Sequence, residues 1–178
     1  MRSWNWHELL GQDLFLVLED HTGIRGALLA WSDESPIAWV RLGVLDDVLS
    51  VAKWFDLVWP MLHERLDAHG VQSLLWMDYQ EWVAPLLSQH GFQEFTEVIT
   101  LVKSDFWLPD ATSCFAALRP AAARDVAAIV GVEHSAFTPH WWHSADTIRH
   151  RIASTALFVV AVDDGAVVGY VDSDLDLS

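Results

Sequence analysis

Glu133 to Arg151, EHSAFTPHWWHSADTIRHR, holds His134, His140, His143 and His150 beside Glu133, Trp141 and Trp142. A carboxylate or a neutral imidazole is the group that takes a proton from an ammonium substrate, so Glu133 and its neighbouring histidines are candidates for general-base work. Three histidines are also enough to hold zinc, but these spacings follow no ligand pattern and no metal is expected. His143 and His150 lie about two helical turns apart, yet Ser144 between them reads as a helix N-cap and breaks a continuous face. Asp172, Asp174 and Asp176 alternate along the final segment. They would draw a cationic acceptor, although such alternation also marks an ordinary solvent face.

Charge bounds the partners. There are 25 acidic residues against 10 basic ones, a formal net charge of -15. That field disfavours nucleic acid and anionic membrane surfaces and tolerates neutral or basic amines, whether small molecules or peptides. The single Cys114 permits no internal disulfide and no cysteine zinc site. Met1 to Asn5 leads into an amphipathic segment rather than an apolar signal core, and no apolar run reaches membrane-spanning length. A cytoplasmic protein is the expectation. Hydrophobic residues make up 52% of the chain, enough for a real core, and the eleven tryptophans are expected mostly to fill it.

The elements that must position these groups follow from periodicity. Leu14 to Glu19 is a dense apolar run, Asp20 to Gly23 a turn, and Ile24 to Trp31 a second strand, with a third over Ile37 to Leu45. Val51, Phe55, Val58, Met61, Leu62 and Leu66 repeat with helical spacing between Val48 and His69, and Pro60 predicts a kink or break there. VQSLLWMDY reads as a strand, Glu81 to Gln89 as a short helix, and FQEFTEVITLVK (92–103) alternates as a half-exposed strand should. Lys103 to Ser113 carries Pro109 and no periodicity. Beyond it come a strand (CFAALRPA), a helix over Ala121 to Phe137, a helix over Ala145 to Ala153 capped by Ser144, and a closing hairpin.

That hairpin repeats. Leu14-Phe15 and the acidic turn after it reappear 143 residues later at Leu157-Phe158, and Gly26 reappears as Gly169. The chain therefore reads as two partial copies of one unit: residues 1–103 a C-terminal-type part, 104–113 a linker, 114–178 an N-terminal-type part. The fold class expected is α+β, a central mixed β-sheet flanked by helices, in a permuted or two-partial-copy arrangement.

Written as one unit, second segment before first, the order is β-α-α-β-β-β-α-β-α-β. This resembles the GNAT superfamily of acetyl-CoA-dependent N-acetyltransferases. FAALRPAAARDVAAIVGVEHSAF is similar to the family's opening strand and helix, FVVAVDDGAVVGYV to its second hairpin, and PLLSQHGFQEFTEVITLVK to its closing segment.

The resemblance implies acyl transfer from acetyl-CoA to an amine, with a glycine-rich turn opening the central helix to cradle the pyrophosphate. The equivalent residues here are Leu42, Val44, Ser50, Ala52 and Lys53, a degenerate cradle. Leu49 stands where the family has arginine, and Trp54 where it has a small residue. Asp46 and Asp47 read as an acid pair at a helix start, which stabilises the helix dipole but opposes an anionic ligand. The family's proton-donating tyrosine is replaced by Leu87, and Tyr79 is the nearest alternative. Two readings stay open: a degenerate or incomplete N-acyltransferase, and a non-catalytic scaffold that binds a partner or dimerises. The open edge of the final strand is expected to be paired, either with the N-terminal half of this chain in a permuted sheet or with a second chain by swapping, as in a homodimer.

Overall fold

The structure, a computed structural model, describes residues 11–33, 36–78, 82–102, 104 and 116–174. They fall into two compact units, one within residues 1–86 and one within 87–175. The expected linker lies almost wholly outside the described residues.

In the first unit, β1 (Phe15–Asp20), β2 (Gly23–Trp31), β3 (Ile37–Leu45) and β4 (Ser73–Trp76) form one sheet in that order. β1, β2 and β3 pair antiparallel, while β3 and β4 run parallel. Helix α1, Val51–Ala68, begins at Ser50, whose Oγ accepts from the backbone N–H of Lys53 at 3.4 Å. It buries Trp54, Phe55, Val58, Leu62 and Leu66, an i, i+3, i+4 stripe. The helix runs unbroken through Pro60, which is exposed. Met61, expected on the apolar stripe, is 51% exposed, and Trp54 takes the central place.

The second unit takes in only the C-terminal half of the short helix α2, Ala84–Gln89, which spans the division in the sequence. It continues with β5 (Ala117–Pro120), a 3-10 turn (Ala123–Asp125), α3 (Val126–Ala136), a second 3-10 turn (Pro139–Trp141), α4 (Ala145–Ser154), β6 (Leu157–Asp163) and β7 (Ala166–Ser173). The sheet order is β5-β6-β7, all antiparallel. Val126 and Ile129 of α3, Ile148 of α4, and Phe158 and Val160 of β6 form its core. Arg119 of β5 holds both carboxylate oxygens of Asp125 at 2.7 and 2.8 Å, and Asp125 also accepts from the Ala122 N–H at 2.9 Å. The Arg-Pro-Ala…Asp run is thus a clasp between strand and helix. Ser144 caps α4 through the Thr147 N–H, as its position predicts.

The hairpin repeat holds residue by residue. Leu16 pairs with Leu28 and Val159 with Val171; Leu18 pairs with Gly26 and Ala161 with Gly169. Even the β-bulge recurs, between Leu18 and Glu19 and between Ala161 and Val162. Only the turns differ: Asp164 and Gly165 have φ of 45° and 81°, whereas the first turn needs positive φ only at Gly23.

One expected strand is not formed. Residues 92–102 make no ladder among the described residues, and Phe95, Val98, Ile99, Leu101 and Val102 are more than half exposed. Alternation supplies a face but not a neighbouring edge, and a strand needs both.

Candidate functional site

Glu133 is the centre of a buried polar cluster in the second unit. It sits near the end of α3, where the Phe137 N–H donates to its carbonyl and the chain turns away through Thr138-Pro139. The return path brings His143 back to it ten residues later. His143 donates twice to the Glu133 carboxylate, from its backbone N–H at 2.9 Å and from Nδ1 at 2.8 Å. Tyr170 of β7 donates its hydroxyl to the same carboxylate. Arg151 of α4 faces His143 Nε2 at 3.1 Å and forms an ion pair with Asp172.

A guanidinium has no acceptor atom, so Nε2 accepts from Arg151 and Nδ1 carries the ring proton. The result is a continuous relay from Tyr170 and Glu133 through His143 and Arg151 to Asp172. Burial by itself would push the Glu133 carboxyl up. The hydrogen bonds from His143 and Tyr170 outweigh it and hold the carboxyl below the usual range. Burial, and then the carboxylate it faces, push the Tyr170 phenol well above its ordinary value.

Chemically, Glu133 is an ionised carboxylate that is 1% exposed and engaged by three donors. It orients His143 and ties the α3–α4 connection to β7. His143 is the member of the Glu133–His143 pair with appreciable solvent access, its side chain 32% exposed. The other histidines are spread out. His134 stacks on Trp142 at 3.8 Å, His140 packs against Phe95 at 4.6 Å, and His150 is exposed on α4. Among the described residues, no three histidine, cysteine or carboxylate side chains converge as a metal would require. Asp172 is spent on Arg151, Asp174 is exposed, and Asp176 lies outside the described residues. Tyr170 and Arg151 were not singled out by the sequence. The available signal was alternation, since Tyr170 and Asp172 fall on the core-facing side of β7, opposite Val160 and Phe158.

The second candidate region is the start of α1 in the first unit. Among the described residues β3 and β4 pair from Ile37↔Ser73 to Val40↔Trp76, and β3 then runs on to Leu45 paired with β2. Two indoles pack against β3 beyond that pairing. A Cβ on Gly43 would come within 3.2 Å of Trp76 Cζ2 and 3.5 Å of Trp54 Cη2. Trp54 is wholly buried and packs edge-on to Phe55, which stacks in turn on Trp59 at 5.3 Å.

Leu42 and Val44 are on β3, paired with Leu29 and Ala27. Ser50 is committed to capping, and Ala52 and Lys53 are exposed in the first turn of α1. Asp46 and Asp47 do not open the helix as expected, for α1 starts at Val51 with no acid in its first turn. Instead Asp46 accepts from the Val48 N–H at 3.0 Å and from Arg25 at 2.7 Å, and these hold its carboxyl below the usual range. Leu87, at the family's proton-donor position, is buried in α2. Tyr79 lies outside the described residues.

These residues do not fit an acyl-CoA. From Leu45 to Trp54 there is no glycine to bring backbone N–H groups close to a pyrophosphate, and the N–H groups of Lys53 and Trp54 already donate to Ser50. Asp46 and Asp47 set two carboxylates just before this helix start, Asp46 being paired with Arg25. The indoles of Trp54 and Trp76 lie against Gly43 of β3.

No protein-family model and no curated protein sequence matches the chain. Among solved structures, an acetyltransferase of Trypanosoma brucei is similar over 56% of this chain and 76% of its own, at 16% identity and a TM-score of 0.43. An apo aminoglycoside antibiotic 6'-N-acetyltransferase of Acinetobacter haemolyticus is similar over 56% of this chain and 77% of its own, at 12% identity and a TM-score of 0.41. Among the described residues, no helix is long and apolar enough to cross a membrane.

Proposed function

We propose that this chain is built from GNAT-like acyltransferase modules and that its first module has lost acyl-CoA binding, serving as a non-catalytic structural or binding unit. One observation carries the reading: the indoles of Trp54 and Trp76 lie against Gly43 of β3, beyond its pairing with β4. The element order and the register-matched hairpins support a duplicated module. The carboxylates of Asp46 and Asp47, in a chain of net charge -15, argue in the same direction.

Isothermal titration of the whole chain with acetyl-CoA tests this. At about 100 μM protein no saturable heat is expected, which corresponds to a Kd weaker than ~1 mM. A Kd tighter than ~10 μM would overturn the reading and restore the alternative, N-acyl transfer from acetyl-CoA or another acyl-CoA to an amine-bearing small molecule or peptide.

A further inference from the structure

His143 is held between a carboxylate and a cation, and only one protonation state of its ring suits both. Nδ1 donates to Glu133 of α3 at 2.8 Å, while Nε2 accepts from Arg151 of α4 at 3.1 Å. A neutral ring with its proton on Nδ1 meets the two demands together. A second proton, on Nε2, would set an N–H against a guanidinium N–H with no lone pair between them. It would also bring two positive charges to that same short distance. The bond to Glu133 would meanwhile gain a charged donor and strengthen. One proton thus favours the first contact and breaks the second.

The surroundings decide which partner leaves. Glu133 is 1% exposed and takes three donors from His143 and Tyr170, so it cannot withdraw without stranding a buried charge. Arg151 is freer to move. It keeps Asp172 of β7 as an ion-pair partner, and its Nε is buried with no hydrogen bond where it now lies. The other ionisable groups of this region are set elsewhere. His134 stacks on Trp142, His140 packs on Phe95, Asp146 pairs with Arg149, and His150 is exposed. We propose that His143 is a proton-operated latch on the Glu133 cluster. Neutral, it ties α4 to α3 and β7 and keeps its Nε2 covered by Arg151. Protonated, it holds Glu133, drops Arg151 and opens that edge of the ring to solvent. The cluster then has a closed and an open form, exchanged in the range where imidazoles titrate. The inference rests on the contacts of His143 and is independent of acyl-CoA binding in the first unit.

Nitrogen NMR of the whole chain at about pH 8 reads the tautomer directly, and Nδ1–H with a bare Nε2 is expected. Lowering the pH to about 5.5 should move the Arg151 guanidinium signals in step with the His143 ring. A double-mutant cycle then measures the latch. His143→Asn keeps a donor for Glu133 and removes Nε2, while Arg151→Met removes the guanidinium. The Asp172 that Arg151→Met leaves unpaired is common to both arms of the cycle and cancels. Urea unfolding of the four proteins should show a favourable His143–Arg151 coupling of roughly fivefold in the folding equilibrium at about pH 8. At about pH 5.5 the coupling should vanish or change sign. Should a variant fail to fold, the spectra of the unaltered chain decide alone. A proton on Nε2 at the higher pH, guanidinium signals that ignore the ring titration, or a coupling absent at the higher pH or equal at both would each overturn the proposal.

Discussion

Trp54 Nε1 stands 2.7 Å from where a Cβ of Gly26 would be, and the indole is fully buried there. The counterpart position, Gly169, has no neighbour closer than ordinary contact. The same residue at the same register therefore has opposite tolerance. Gly26→Ala should destabilise the chain by about 1–3 kcal/mol through overpacking. Gly169→Ala should change it by less than about 0.5 kcal/mol. Urea unfolding of the two variants checks this, and equal losses would contradict it.

Trp54 buries its ring but leaves Nε1 without a hydrogen-bond partner. An unmet buried donor costs about 1–3 kcal/mol, which offsets part of what the indole contributes by packing. Trp54→Ala should cost about 3–5 kcal/mol. Trp54→Phe, which removes the orphan N–H and keeps most of the apolar area, should cost less than half as much. Thermal unfolding of the pair measures the ratio.

Glu133 and Asp125 give the second unit its acid sensitivity. Asp125 is held down to about 2 by Arg119, and Glu133 sits below the usual range through His143 and Tyr170. Both folded values lie below the unfolded ones, so the stabilisation is present above about pH 4 and is lost as pH falls through the folded values. Asp125→Asn should therefore be less stable than the parent at pH 6, and the gap should close near pH 2. Circular dichroism from pH 6 to 1.5 reads it. A constant gap would show that the Arg119–Asp125 pair is not the cause.

His69 follows the opposite sign. Its Nδ1 faces the Arg65 carbonyl at 2.8 Å and its Nε2 faces the Asp13 carboxylate at 3.1 Å, two acceptors that only a doubly protonated ring can satisfy. The Arg65 carbonyl, and then Asp13, raise its pKa above the ordinary 6.5. The contribution is full below the unfolded pKa and disappears as pH rises through the folded one. His69→Gln should flatten the dependence of Tm on pH between 6 and 8. An NMR titration in which His69 titrates at or below 6.5 would refute the assignment.

The sequence by itself determined what depends on near neighbours. The two hairpins, the cap Ser144 and most of the α1 stripe are set by alternation, helical spacing and short loops, whereas the Ser50 cap and the Arg119…Asp125 clasp emerged only in the structure. The common register of the hairpins could be read from residues 14–31 and 157–174 alone. Tertiary structure decided what depends on distant partners. It joined Glu133 to Tyr170 across 37 residues, turned Asp46 from a helix start to Arg25, and withheld a ladder from residues 92–102. It also placed Trp54 over Gly26 and left the face at Gly169 bare. Burial and pairing are properties of two surfaces that meet, and a one-dimensional pattern specifies only one of them.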